Sequence, residues 1–426
     1  MPFDTSQEKL RELIELFRSN VAQYKSPDYD EANTRTDFID KFFELLGWDV
    51  RNVNGYSEQY RDVVREDRIV IDNRPKAPDY SFRIGGYRTF FVEAKKPSVN
   101  IKDDISPAFQ IRRYGYTAKL PLSILTDFEE FAVYDTRIKP HKNDKASTAR
   151  IFYCKYDQYL EKCSFEGFDT NFDYIVGTFS KESVLRGSFD RYIEATKNKR
   201  GTSEVDQELL ALVETWRLHL ARTIAKANPE LDTHHLNVAV QRIIDRILFL
   251  RIAEDRHIER YENLFHAAEK QDVYKKLHSL FADADEKYNA GLFKQEDWLD
   301  QLQVDDKVLS PIIKGLYYPE SPYEFSVLPI EILGSIYERF LGKTIRLTAG
   351  HQAKVEEKPE VRKSGGVYYT PQYIVDYIVR ETIGQKIQNS STVTILDPAC
   401  GSGSFLVGAY TFLLNWHPTP LSNLAV

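Results

Sequence analysis

Asp79, Glu93 and Lys95 are the residues of this chain whose types and spacing best suit a reaction. Two carboxylates and a lysine brought to one point suit a hard, oxygen-seeking cation such as Mg²⁺. A cation so held neutralises charge on a phosphodiester under attack and makes a bound water nucleophilic. A neighbouring ammonium orients that water and stabilises the negative charge that develops. The stretch Asp79–Lys95, DYSFRIGGYRTFFVEAK, is able to gather them. Tyr80, Phe82 and Ile84 alternate with Asp79, Ser81 and Arg83, and Phe90, Val92 and Ala94 alternate with Phe91, Glu93 and Lys95. Alternation at period two predicts two strands, one set of side chains on the core and the other on the opposite face. Gly85-Gly86 supplies the positive φ of a tight hairpin. Pairing then sets Asp79 near Glu93 and Lys95 at one end of the sheet. The same charges would equally suit a solvated edge hairpin, so the surrounding elements decide between the two.

Those elements are legible from periodicity. Leu10, Leu13, Ile14, Leu16 and Phe17 form a helical stripe. TRTDFIDKFFELLGW predicts a helix capped at Thr34 or Thr36, with Phe38, Ile39, Phe42, Phe43 and Leu46 at helical spacing, ending at Gly47. Asp40 and Glu44 fall among its polar positions and are expected on a solvated face, although either would suit a metal site as a further carboxylate. Lys96-Pro97 stops the strand that carries Lys95. Residues 103–118 predict a helix, with Gln110 and Tyr114 one turn apart on one face. LSILTD (122–127) and EFAVYD (130–135) predict two more strands. The order helix, hairpin, helix, strand, strand is that of a small α/β core, a mixed sheet flanked by helices. HKNDKASTAR predicts an exposed loop, and TKNKRGTSE (196–204), basic and short of apolar residues, predicts a linker.

Composition bounds the rest. At 426 residues, 42% of them hydrophobic, the chain has material for two or three cored domains. The net charge of −7 does not advertise polyanion binding, so any nucleic-acid contact must use local basic patches. The start, MPFDTSQEKL, is too polar for a signal peptide, and no apolar run reaches the length of a membrane span. Cys154, Cys163 and Cys400 form neither a metal-ligand pattern nor a disulfide framework, which fits a reducing cytoplasm.

Residues 205–345 change character and predict an all-α domain; LNVAVQRIIDRILFLRIAEDR carries Val238, Val240, Ile243, Ile244, Ile247, Leu248 and Leu250. His234-His235 reads as a surface pair at a helix start, and Glu254 and Asp255 as part of a charged helix face. Residues 350–364 predict a charged loop. Pro371 opens the first turn of a helix. TVTILD (392–397) predicts a buried strand that runs into PACGSGSF and a new helix. Strand, glycine-rich turn and helix make a nucleotide-type binding loop. Gly401 and Gly403 let its backbone approach a ligand, and Asp397 at the strand's end is placed to accept from a cofactor donor.

Several of these stretches resemble known motifs. Pro78-Asp79 with Glu93-Ala94-Lys95 resembles the PD-(D/E)xK nuclease motif. That likeness implies catalytic roles for Asp79, Glu93 and Lys95, and Mg²⁺ or Mn²⁺ on Asp79, Glu93 and the Ala94 carbonyl. Gln110-x-x-x-Tyr114 resembles the extended nuclease motif of type I restriction motor subunits and their single-chain relatives, in which both residues support the active site or the DNA. Asp397-Pro398-Ala399-Cys400-Gly401-Ser402-Gly403-Ser404-Phe405 resembles motif I of N6-adenine DNA methyltransferases, which holds S-adenosylmethionine. Gly366-Val367-Tyr368-Tyr369-Thr370-Pro371 resembles their motif X. Cofactor binding is thereby implied for Tyr369, Thr370, Pro371, Asp397, Pro398, Ala399, Gly401, Gly403 and Phe405.

In this order the parts resemble a type IIG (type IIL) restriction–modification enzyme. The resemblance implies a PD-(D/E)xK nuclease domain over 1–197 and an all-α connector over 198–349. An incomplete α/β, Rossmann-like methyltransferase segment comes after it, over 350–426. The implied function is a site-specific endonuclease that hydrolyses double-stranded DNA in phage defence. The (N/D)PP(Y/F) motif and target-recognition domain of that family do not occur here. The chain is therefore expected to be an amino-terminal portion that binds S-adenosylmethionine weakly and does not methylate DNA. The alternative is a non-catalytic remnant or DNA-binding module, silent without its specificity domain.

Overall fold

The computed structural model describes residues 3–65, 77–197, 205–269, 271–289, 291–329, 332–334, 342–358, 370–387, 393–401 and 403–416. Packing divides the chain into two compact units. One comprises Met1–Val205, Ile247–Lys270 and Pro311–Leu328; the other comprises Asp206–Arg246, Gln271–Ser310 and Pro329–Val426.

The first unit is built on a six-stranded mixed sheet in sequence order: β1 (Val63–Val64), β2 (Tyr80–Ile84), β3 (Tyr87–Ala94), β4 (Leu122–Thr126), β5 (Glu130–Asp135) and β6 (Arg150–Lys155). The predicted hairpin is β2–β3, with Tyr80 opposite Val92 and Phe82 opposite Phe90. Gly85 and Gly86 turn it at φ 57° and 87°. Only β3 and β4 run parallel, Val92 beside Ile124. A parallel step needs a crossover, and the helix Ile105–Thr117 supplies it, capped by the Asp104 carboxylate on the Ser106 N–H. Gly115 brings this helix hard against the sheet; a Cβ there would come within 2.5 Å of Thr136 and 2.6 Å of Ser123.

Both faces of the hairpin are buried, so the solvated edge hairpin does not form. One face packs Phe82, Phe90 and Val92 against Phe17, Phe38, Phe42 and Phe43. The Phe82 and Phe90 rings stack at 4.4 Å, worth about 1 kcal/mol beyond the burial itself. The opposite face packs Phe91 with Ile111, Tyr114, Leu125 and Tyr134.

The helix predicted from Thr34 begins earlier, at Glu31, where the Asp30 side chain accepts from the Asn33 N–H. A π turn, Arg35–Ile39, then precedes the helix Asp40–Leu45. One inserted residue rotates the remainder of the helix by about 100° relative to the 3.6-residue reading. Asp40 accordingly leaves the solvated face expected for it. It is 2% exposed, accepts from the Tyr80 hydroxyl at 2.7 Å and pairs with Arg65. Glu254 and Asp255 likewise leave the charged surface expected of them: both are buried, drawn in by Arg251 at 3.7 and 2.6 Å.

In the second unit the helices Val205–Ala227, Thr233–Asp255 (its first part) and Val273–Tyr288 bear out the helical reading. The stretch 198–349, expected to be all-α, is not wholly helical, however. Lys343–Leu347 (β7) pairs antiparallel with Ala353–Glu357 (β8), Ile345 opposite Val355. Part of the predicted 350–364 loop is therefore strand. Alternation around Ile345 and Val355 favours it, Arg346 meets Glu356 at 3.0 Å, and the Asn237 side chain bonds both the N–H and the C=O of Ile345. Farther on, the helices Gln372–Val379 and Ser404–Trp416 share a small core of Val375, Val379, Ile383 and Ala409. The buried strand predicted at 392–397 is not seen: residues 393–397 are irregular, and Leu396 is 85% exposed. Among the described residues no strand lies beside it, and an unpaired strand leaves its backbone donors and acceptors unsatisfied. No described helix is long and apolar enough to cross a membrane.

Candidate active site

Asp79 immediately precedes β2 and Glu93 lies in β3, so the Tyr80–Val92 pairing brings both to one end of the hairpin. Both are fully buried. Asp79 Oδ2 accepts from the Ala94 N–H at 2.7 Å, and its Oδ1 faces Arg35 Nη1 at 3.5 Å. The Lys95 N–H donates to the Thr126 carbonyl at 3.0 Å, extending the β3–β4 pairing past Ala94 and aiming the lysine. Lys95 Nζ lies 2.5 Å from Glu93 Oε1 and 3.8 Å from Glu31 Oε2. Burial pulls the Lys95 pKa down, but the charges of Glu93, Glu31 and Asp79 outweigh it and hold the pKa above its ordinary value. Lys95 is therefore a firmly charged donor at neutral pH, suited to orienting a water or stabilising an anion.

Gln110 Nε2 donates to the Tyr114 hydroxyl at 3.2 Å, so the helix joins these two as their spacing predicts. The Tyr114 phenol is buried, and burial, then Glu324 and Glu93, push its pKa well above the ordinary value. Glu93 thus acts on Tyr114 across the sheet face. Asp40 does not join the group around Lys95, and Glu44 turns to Arg51 at 2.9 Å.

Two participants were missed in the sequence. Glu31 and Arg35 stand on the first helical turns after Asp30 and reach Lys95 and Asp79; Arg35 also lies over the Tyr80 ring at 4.9 Å. Asp30-Glu31 is legible as a helix start, but nothing local shows what that start faces.

Asp79, Glu93 and the Ala94 carbonyl are hard oxygen donors, and two carboxylates are what Mg²⁺ ordinarily takes from a protein, with waters completing its shell. The donor chemistry fits. Among the described residues no three His, Cys, Asp or Glu side chains converge as a ready-made metal cluster, so waters and backbone would complete any coordination.

The glycine-rich loop has less around it. Asp397 Oδ1 accepts from the Ala399 N–H at 3.1 Å. Gly401 and Gly403 take φ of 55° and 82°, which side chains adopt only with strain. Pro371 caps the helix Gln372–Val379, with Thr370 just before it. Asp397, Pro398 and Phe405 border an open, mainly apolar groove of about 690 Å³, together with Ile378, Val379 and Ile383. Thr370, Pro371, Ala399, Gly401 and Gly403 do not line it. Tyr369 lies outside the described residues.

Residues 329–419 match the N-6 DNA Methylase family. The chain as a whole is 38% identical over 415 residues to the type II restriction enzyme and methyltransferase RM.Eco57I of Escherichia coli, a match covering 96% of this chain and 40% of that protein. It is a homologue of a type II restriction enzyme and methyltransferase, and it spans about two fifths of that relative's length. A solved structure, the type IIG restriction endonuclease BpuSI, matches over 91% of this chain and 37% of that one at 14% identity, with a TM-score of 0.26. So low a score carries no argument about the fold.

Proposed function

We propose that the sheet-bearing part of the first unit, up to about residue 197, is a divalent-metal-dependent DNA endonuclease module, and that the chain is part of a restriction–modification enzyme. The observation that carries this reading is the buried pair Asp79 and Glu93 at one strand end with the Lys95 ammonium 2.5 Å from Glu93. Mg²⁺ or Mn²⁺ held by Asp79, Glu93 and the Ala94 carbonyl would neutralise charge on the attacked phosphate and activate a water. Lys95 orients that water and stabilises the oxyanion that develops. Gln110 and Tyr114 brace the Glu93 side of the site. Double-stranded DNA is the substrate, and the nuclease domain ends near 197, ahead of a connector and the methyltransferase segment.

The loop 397–405 is proposed as part of an S-adenosylmethionine cradle, weak as it stands because 393–397 is irregular and exposed. One observation favours a second reading, a catalytically silent module: Arg35 and Lys95 already neutralise the two carboxylates. Nicking of supercoiled plasmid separates the two. Mn²⁺-dependent nicking by the parent chain, lost at least about 100-fold in Lys95→Ala while the circular dichroism is unchanged, is the expected result. A Lys95→Ala protein that cuts as fast as its parent removes the lysine from the mechanism, and a parent that never nicks leaves the silent module.

A further inference from the structure

Within the first unit, residues 318–327 lie along the crossover helix Ile105–Thr117 and touch it at successive turns. The Tyr318 ring meets Phe109 at 5.8 Å, and Tyr323 stacks with Tyr116 at 6.3 Å. Arg113 donates to the Tyr323 carbonyl and faces Glu324 Oε2 at 3.5 Å. The Glu324 N–H donates to Thr117 Oγ1 at 2.9 Å, and Val327 enters the core of Phe91, Ile111 and Tyr114.

The segment is itself anchored by charge. The Phe325 N–H donates to Asp255 Oδ2 at 3.0 Å. Arg251 holds the other Asp255 oxygen at 2.6 Å and donates from Nε to the Leu316 carbonyl at 3.1 Å. Arg113, Glu324, Asp255 and Arg251 are all more than nine-tenths buried. Buried charges are costly unless paired, and packing alone would not demand them. What such a chain does provide is a directional lock: a slide or rotation of the helix breaks the Arg113 bond to the Tyr323 carbonyl, the Glu324 N–H bond to Thr117 and the Arg113–Glu324 contact at once, whether or not Glu324 is ionised. The residues at stake are Gln110 and Tyr114, because Tyr114 packs on Phe91, two positions from Glu93 in β3 and on the same face of the sheet.

We infer that Glu324, acting through Arg113, is a positioning residue for the nuclease: it fixes the rotation of the 105–117 helix and so holds Gln110 and Tyr114 against Glu93, from 207 positions beyond Thr117 in the chain. The inference rests on the endonuclease reading of the Asp79–Lys95 site. The groups facing Glu324 are Arg113 and Tyr114 from the helix, Asp255 and Arg251 from the helix ending at Asp255, Tyr261, and its own neighbour Ser326. Burial and then Asp255 push the Glu324 pKa up to about 8, while Arg113 pulls it down. At neutral pH the carboxyl is mostly protonated, and ionisation above about 8 places a second negative charge beside Asp255.

The test uses the full chain, supercoiled plasmid and Mn²⁺, with Glu324→Gln and Glu324→Leu. Glu324→Leu is expected to nick about tenfold more slowly, with plasmid affinity unchanged and faster amide exchange across 105–117. Glu324→Gln, which keeps the uncharged shape, is expected to match the parent at neutral pH and to lose the parent's inflection near 8 in the pH–rate profile. Parent-like nicking and exchange in Glu324→Leu overturns the inference, and so does an inflection that survives in Glu324→Gln. Should Glu324→Leu fail to fold, the Glu324→Gln profile decides. A parent that nicks nothing sinks the endonuclease reading instead. Amide exchange across 105–117 in Glu324→Gln then judges the positioning role separately: protection that falls as the parent is taken above pH 8, but not in the variant, supports it, and identical protection refutes it.

Discussion

The hairpin 79–95 and the loop 393–405 are both motif-bearing turns placed after predicted strands, yet they end in opposite states. In the hairpin, Asp79, Glu93 and every residue from Phe90 to Ala94 are buried, with β1 and β4 as sheet neighbours. In the loop, Ile395 and Leu396 stand exposed, and among the described residues Asp397 bonds locally, to the Ala399 N–H. The glycines behave alike in both, with positive φ at Gly85, Gly86, Gly401 and Gly403. Turn chemistry is thus a local property, whereas burial of a carboxylate needs strands on either side. An apolar alternation becomes a strand only where another backbone takes up its N–H and C=O groups.

The widest separation between the two regions is expected in stability. Phe82→Ala should cost about 3–5 kcal/mol, since it removes a fully buried ring stacked on Phe90. Urea titration measures it, and a cost below about 1 kcal/mol would mean that the hairpin core is looser than its packing shows.

Metal binding sharpens the contrast next. Mn²⁺ at about 100 times its Kd should stabilise the parent by about 2.7 kcal/mol, seen as a rise in melting temperature that disappears in Glu93→Ala. Equal shifts in both proteins would take Glu93 out of the site.

A smaller effect concerns pH. Glu324 has a folded pKa of about 8 against an ordinary 4.5. Between those values the unfolded chain gives up a proton that the folded chain keeps, so this group lowers stability as pH rises and adds no further slope above about 8. Glu324→Gln should flatten that part of the stability–pH curve, and an unchanged slope would assign it to another group.

Least affected should be the loop. Leu396→Ser should change stability by less than about 0.5 kcal/mol, because the side chain is already 85% exposed. In the parent chain, calorimetry should find S-adenosylmethionine binding weak or undetectable. Tight binding would show that the cradle assembles without a regular strand at 393–397, and burial alone would then separate the two regions.

The sequence by itself determined the parts whose cause lies within a few residues. Gly85-Gly86 required a turn, alternation required β2 and β3, and a four-residue spacing was enough to join Gln110 to Tyr114 at 3.2 Å. The helical stretches of 205–288 came from their period, and the second strand pair from β-branched runs. Only the tertiary structure decided which charges go inside. Asp40 turned inward after a π turn no period reveals. Glu31 and Arg35 reached Lys95 and Asp79 from a separate helix. Glu324 meets Arg113 from the 105–117 helix, and Asp255, paired with Arg251 one turn back on its own helix, takes the distant Phe325 N–H on its other oxygen. A carboxylate has the same local preference whether it ends in water or in a core. Its fate is set by the desolvation cost weighed against the counter-charge that meets it, and that partner is chosen by the fold.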